Sequence, residues 1–459
     1  MLKNRHSSAN DQALPRLFEL PPIAGKKVTV DFSAPRLSSV GGLALVRYFE
    51  RSSSNIIDRM EACIDDPRNQ SYVKHGLSEM LRQRVYQIMA GYEDADDCDR
   101  LRGDGILKMC AGRTAASESD LASQPTMSRL ENSLSHKELY DIGNCFVEDF
   151  IASYDSEPDA IIIDADDTNA DTYGAQQLTL FNAYYGEYCY MPLLLFEGRS
   201  GKLILPILRP GRGNKAINIA GLLKRLIAKL RKHWRHTKFI FRGDSHFCSR
   251  AFMDWAVDRR DGIYFITGIS GNARLKREVA GKLKSAVSSY ERSGKDVRTF
   301  HSFDYRAGSW KHIQKVVAKI EVNRFGTNVR YVVTNFKDQR PRFLYEDCYC
   351  DRGRMELMIG ELKNGLKADR MSCNKFSANQ FRLFLHCAAY VVLHSFRQKM
   401  LAGTALASCT ITTLREKIIL SAVAIDEAKT RIHLHFSQDA PMMEEMSAML
   451  ARMRLKRAA

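Results

Sequence analysis

From Gly41 to about Ala152, apolar residues recur at i, i+3 and i+4, the repeat of helices that bury one face. "GGLALVRYFERSS", "YVKHGLSEMLRQRVYQIMAGYED" and "HKELYDIGNCFVEDFIASY" carry it. Between the last two lies "SESDLASQPTMSRLENSLS". There Asp120 can cap a short helix, Pro125 breaks it, and Thr126 or Ser128 starts the next. That predicts a helix-turn-helix near 118–134 with Ser128, Arg129 and Asn132 facing out, or simply two short packed helices. At Pro158 the period changes. "DAIIIDAD" is a continuous apolar run ending in acids, as a buried strand reads. "CYMPLLLFEG" and "KLILPILRPG" read as further strands. A basic amphipathic helix "AINIAGLLKRLIAKLRKHW", a strand "KFIFRGD", a helix "SRAFMDWAVDRR" and a strand "IYFITGI" follow. Three strands followed by alternating helix and strand predict a mixed α/β sheet covered by helices.

After Ile269 the alternation stops. A basic helical piece precedes "VRTFHSFDYRAG", "KHIQKVVAKIEVN" and "NVRYVVTNF", which predict antiparallel hairpins inserted into the sheet domain. Two helical stretches follow, "YCDRGRMELMIGELKNGLKADR" and "ANQFRLFLHCAAYVVLHSFRQKM". The expected organisation is a helical region over 1–155. The first part of a sheet domain would span 156–269, a β-rich insertion 270–342, and helices returning to the sheet domain 343–400. A helical C-terminal region with a basic tail would cover 401–459.

Charge changes this picture from fold to partner. The 459 residues carry a net +16, unevenly spread. Residues 1–200 hold 20 Lys and Arg against 31 Asp and Glu, whereas residues 201–459 hold 49 against 22. The block 201–260 has 15 basic residues and 3 acids. A field of that sign on part of the chain suits a polyanion such as DNA. No apolar run approaches the roughly 18 residues of a membrane span, and the start lacks the apolar core of a secretory signal. Eleven cysteines without a CxxC pair read as reduced thiols of a cytosolic protein rather than a zinc site.

Candidate chemistry lies at strand ends. "IIIDADDT" places Asp164, Asp166 and Asp167 after the first strand, and "FIFRGDSHF" places Asp244 after a later one. Sites in such sheets form at these ends. Glu356 becomes a third carboxylate if its helix packs there. Converging carboxylates repel one another, and hard divalent cations such as Mg2+ or Mn2+ resolve the conflict. Two such ions about 3.5–4 Å apart serve phosphodiester cleavage. At about 100° per residue, Arg352, Glu356 and Lys363 share one stripe of the helix, with Tyr349 a turn earlier and Glu361 on the far side. Arg352 and Lys363 suit phosphate oxygens.

The spacing of Tyr349, Arg352, Glu356 and Lys363 is a Tyr-Arg-Glu-Lys signature. With "LASQPTMSRLEN", "GAQQLTLFNAYYGEYCYMPLLLFEG" and "RGDSHFC", it resembles the group-1 branch of bacterial insertion-sequence DDE transposases. The resemblance runs from "SSVGGLALVRYFER" to "NQFRLFLHCAAYVVL", most of the chain. It implies a ribonuclease-H-like catalytic domain with a β-rich insertion, and cut-and-paste movement of a DNA element. It also implies a catalytic, metal-holding triad of Asp166, Asp244 and Glu356. The family pattern Asp-x-Asp-x-Thr, then Gly-x-Gln, falls on Asp164, Asp166, Thr168, Gly174 and Gln176. Its second Asp is the catalytic one, with Asp167 an extra acid and Asp164 a supporting one. The implied partners are double-stranded DNA, as the element's terminal inverted repeats and as target. The implied state is a homodimer in the DNA complex, cytoplasmic and at the bacterial nucleoid. In related transposases an aromatic of the insertion stacks on a base. In "YRAGSWKHIQK", Trp310 beside Arg306, Lys311 and Lys315 is the candidate, or else a core residue. The alternatives are a nuclease or resolvase on this fold without strand transfer, and an inactive DNA-binding regulator.

Overall fold

The run Ile161–Ala165 is buried throughout, so it must lie at the centre of a sheet with both faces covered. In the computed structural model this is the case. The structure describes residues 18–31, 36–116, 119–211, 219–259, 261–440 and 442–458. Its strands are β1 (Phe18–Ile23), β2 (Lys26–Val30), β3 (Leu37–Ser38), β4 (Ala160–Asp167), β5 (Ala170–Asp171), β6 (Leu180–Asn182), β7 (Glu187–Tyr190) and β8 (Leu193–Glu197). They continue as β9 (Leu203–Ile207), β10 (Lys238–Gly243), β11 (Ile263–Ile269), β12 (Val297–Tyr305), β13 (Gln314–Asn323), β14 (Gly326–Thr334), β15 (Val423–Ala428) and β16 (Arg431–Phe436).

Eight of them form one mixed sheet in the order β12-β13-β14-β11-β10-β4-β8-β9. Two of its joints, β4–β10 and β10–β11, are parallel and the others antiparallel. Parallel joints need crossover connections, and the helix Arg250–Arg259 supplies the one from β10 to β11. The helix Ile219–His233 precedes β10 and buries Leu222, Leu223, Leu226 and Leu230; the first residues of the expected basic helix lie outside the described residues. The hairpins after Ile269 join the sheet domain directly. Strand β14 pairs with β11, so they extend the same sheet.

A second core joins the two ends of the chain. Helices from Leu43–Ser53 to His136–Ala152 share it with the long helix Phe376–Met400 and with Met446, Met449 and Met453. A buried ionic group crosses it. Arg382 of the long helix meets Glu131 at 3.3 Å and Asp94 at 2.8 Å, and Arg84 meets Glu131 at 3.4 Å. No helix among the described residues is long and apolar enough to cross a membrane.

Several expectations need correction. The N-terminal region is not all helical, because "FELPPIAGKKVTV" forms the hairpin β1–β2 around Ala24 and Gly25, whose φ values are +50° and +77°. Positive φ at both central turn residues matches the twist of a two-residue hairpin. The C-terminal region likewise contains the hairpin β15–β16. "CYMPLLLFEG" divides into β7 and β8 at Met191-Pro192, where proline has no N–H for the ladder. Residues 119–123 are not helical. Pro125 opens the helix Gln124–Glu131 instead of breaking one, since its missing N–H costs nothing in a first turn. The stretch around Glu356 is not one regular helix. It passes from a π-turn segment Phe343–Tyr349 through a 3-10 turn Cys350–Gly353 to α-helix at Arg354–Gly360, then π again at Glu361–Gly365.

The buried ionic group makes a prediction. Replacing Arg382 with Met removes one cation from Glu131, which is 2% exposed, and should cost about 3–5 kcal/mol. Urea unfolding of the full chain measures this as a single earlier transition.

Candidate active site

The two parallel joints place the acids. β10 pairs with β4 so that Gly243 lies opposite Ala165, and one residue further on Asp244 stands beside Asp166. The Asp166 carboxylate accepts from the Asp167 N–H at 3.0 Å and from Arg352 Nη1 at 2.7 Å. Burial pushes its pKa above the usual carboxylate range; Arg352 opposes this and the neighbouring Asp244 charge adds to it. Asp244 accepts from the His246 N–H at 2.8 Å, capping the short turn Ser245–Phe247, and its other oxygen lies 3.2 Å from His246 Nδ1.

The signature residues partly gather here. Tyr349 packs across Gly268, where a Cβ would come within 2.9 Å of its hydroxyl and 3.3 Å of the Asp244 backbone. Lys363 donates to the Asn169 carbonyl at 3.0 Å and to its side-chain oxygen at 2.9 Å, just past the first acid. Glu356 is exposed. Among the described residues, no three His, Cys, Asp or Glu side chains stand close enough together to hold a metal ion. The expected stripe therefore breaks between Arg352 and Glu356. The end of the 3-10 turn Cys350–Gly353 advances by about 120° per residue against about 100° in the α-helix that follows, which widens the angle between the two residues. Glu361 does face inward, to Arg397 at 2.9 Å.

The neighbouring acids are engaged by arginines. Asp164 is fully buried and held by Arg242. Asp167, on the opposite face of β4, pairs with Arg209. The strand ends carry the Asp166 and Asp244 carboxylates, with the His246 imidazole and the Tyr349 hydroxyl beside Asp244. Asp166 and Asp244 already share unfavourable like charge, with an arginine beside one of them. That donor set fits a hard divalent ion, with Glu356 yet to be brought in.

Trp310 is not at this site. The antiparallel register puts the β12–β13 turn at the far end of the sheet from the acids. There Lys311 and His312 bind Asp258, and Trp310 packs edge-on to Tyr305 at 5.4 Å. The β13–β14 turn lies at the acids' end instead and exposes Phe325 with Arg324 over its ring at 4.6 Å. Which end of the sheet a turn occupies follows from pairing with distant strands and cannot be read from one hairpin's sequence. Ser128, Arg129 and Asn132 sit on the helix Gln124–Glu131 and its end. Arg129 is exposed, and Asn132 bonds the Ser128 carbonyl at 2.9 Å. Tyr185 was not singled out in "NAYYGEY". Burial raises its hydroxyl to about 12, with Asp167, Tyr184 and Asp166 adding to the shift. Tyr184 packs edge-on against it at 4.9 Å in the turn between β6 and β7, and Tyr184, Tyr188 and Tyr173 are themselves exposed. Gln176 ties that region to the Met371 and Cys373 carbonyls.

Comparison with known proteins gives a family. The model described as transposase DDE domain group 1 matches residues 20–458. No curated protein matches the chain. Among solved structures, the cryo-EM structure of the piggyBac transposase synaptic complex with hairpin DNA is similar at 13% identity and a TM-score of 0.44. The similarity covers 93% of this chain and 85% of that one.

Trp310 packs as a core residue, so Trp310→Ala should lower stability by about 1–3 kcal/mol, less than the loss at a fully buried aromatic. Thermal unfolding reads the loss. A folded variant with a defect confined to one step of DNA processing would contradict the placement.

Proposed function

The chain belongs to the transposases with a group 1 DDE domain, and from that premise we propose that it cuts DNA at the ends of its own element and joins those ends to target DNA. DDE transposases are DNA-cleaving enzymes that generally use a divalent metal. The observation that carries the reading is the register placing Asp166 beside Asp244, with Tyr349, Arg352 and Lys363 grouped around them. The order β9-β8-β4-β10-β11, a hairpin beside two parallel joints, supports a ribonuclease-H-like core.

Asp166, Asp244 and Glu356 are the residues that would hold Mg2+ or Mn2+, Glu356 swinging in from the surface. When bound, such ions activate the attacking water and neutralise the leaving oxygen. Arg352 and Lys363 bind phosphate oxygens on either side of the scissile bond, and Tyr349 donates a hydrogen bond to one of them. In the structure Arg352 holds Asp166. A DNA phosphate would draw this arginine away and free the carboxylate. The basic segment after residue 200 tracks the backbone through counterion release. Ser128, Arg129 and Asn132 read the terminal repeats, and two copies of the chain pair the two ends.

Incubation of the protein with Mg2+ and DNA carrying the element's ends tests this. Asp166→Asn, Asp244→Asn and Glu356→Gln should each reduce cleavage by about 1,000-fold or more, equal to several kcal/mol, while binding persists. Glu361→Gln should retain cleavage. Cleavage at wild-type rate by Glu356→Gln overturns the triad, and nicking without joining makes the protein a nuclease. Mn2+ binding followed by electron paramagnetic resonance tests the arginine: Arg352→Gln should bind Mn2+ more tightly than wild type without DNA. Arg129→Ala in the full chain should lose preference for element ends over random DNA.

A further inference from the structure

We propose that Arg242 is the positioning residue that sets both strand-end acids and the segment bearing Arg352 and Glu356 in one frame. The inference rests on the reading of the acids given above. Arg242 and Asp164 are paired directly across the parallel joint between β10 and β4. Each lies two residues before an acid, Asp244 and Asp166 respectively, and so on the same face of its strand. The guanidinium binds Asp164 through two parallel bonds, from Nε at 2.6 Å and from Nη2 at 2.7 Å. Its remaining nitrogen, Nη1, reaches the third segment, donating to the Cys348 carbonyl at 2.8 Å and to Asp351 at 3.1 Å. Cys348 precedes Tyr349, and Asp351 precedes Arg352, which holds Asp166. One side chain thus touches three pieces of chain, each next to a residue of the site.

The surroundings leave this pair no freedom. Arg242 is 2% exposed and Asp164 is fully buried. Gly198 closes the pocket from the neighbouring strand end; a Cβ there would fall 2.4 Å from Arg242 Nη2 and 2.6 Å from an Asp164 oxygen. Only a planar fork with five donors binds a carboxylate by two parallel bonds while serving two more acceptors. A buried ion pair of this kind is weak evidence of stabilisation, because apolar replacements of similar volume often fold as well or better. What apolar side chains cannot reproduce is the directed link from the sheet to Cys348 and Asp351.

The test uses the full chain. The double variant Arg242→Met with Asp164→Leu removes both charges together, and Asp351→Asn weakens only the link to the third segment. Three quantities are measured: the urea midpoint, the cleavage kcat against the KM for element-end DNA, and Mn2+ affinity by electron paramagnetic resonance. Positioning predicts a folded double variant with unchanged KM, a kcat lower by about 100-fold, and weaker Mn2+ binding. Asp351→Asn should keep the wild-type midpoint and lose about 10-fold in kcat; it decides the matter if the double variant fails to fold. Arg242→Lys should not rescue, since lysine lacks the fork. Wild-type kcat and Mn2+ affinity in either folded variant overturn the proposal while leaving the acid site intact. A wild-type protein that neither cuts DNA nor binds Mn2+ overturns the acid site itself, and this frame with it.

Discussion

Two carboxylates held side by side repel, and the site is organised around that repulsion. Asp166 and Asp244 end adjacent parallel strands whose register allows no escape. A residue's shift along either strand would turn one acid to the opposite face, where the buried apolar side chains of the sheet lie. Arg352 meets Asp166 with an opposite charge, and Asp244 accepts from the His246 N–H with the imidazole Nδ1 3.2 Å from its other oxygen. Under the proposed function, a cation from solution and the phosphates of DNA would take the place of those partners.

The same logic explains why acids and arginines alternate below it. Asp164 and Asp167 flank Asp166 in sequence, yet each has a dedicated arginine, Arg242 and Arg209. Neutralising these two leaves a local field set by Asp166 and Asp244. Burial acts in the same direction, raising Asp164 to about 6. The three-acid run "DADD" thus divides by partner: Asp164 shares its face with Asp166 but is held by Arg242, Asp167 points to the other face and meets Arg209, and Asp166 alone stands beside Asp244.

Much of this was legible in the sequence and some was not. The apolar run ending in acids, the second acid after "FIFRG" and the spacing of Tyr349, Arg352 and Lys363 all pointed to elements that the structure brings together. Periodicity failed where the backbone leaves ideal geometry. A helical wheel assumes one angle per residue, and the segment from Phe343 to Gly365 uses three kinds of turn. Hairpins went unread where strands were short or polar, as at β1–β2 and β15–β16. The side of the sheet to which a turn points, decisive for Trp310 and Phe325, follows from pairing between strands far apart in sequence. No local pattern encodes it.

The helix Phe376–Met400 is the hub of a core that also takes in the helices from Leu43 to Ala152. Its arginine, Arg382, anchors Glu131 at the end of the helix bearing Ser128 and Arg129, while Glu361 behind the signature segment anchors its Arg397. The surface proposed to read DNA ends and the segment proposed to cut them are therefore braced on a single rod. On those proposals, exchanging the reading helix as a module would break the Arg382–Glu131 contact, whereas substitution at exposed positions such as Arg129 would leave the brace intact.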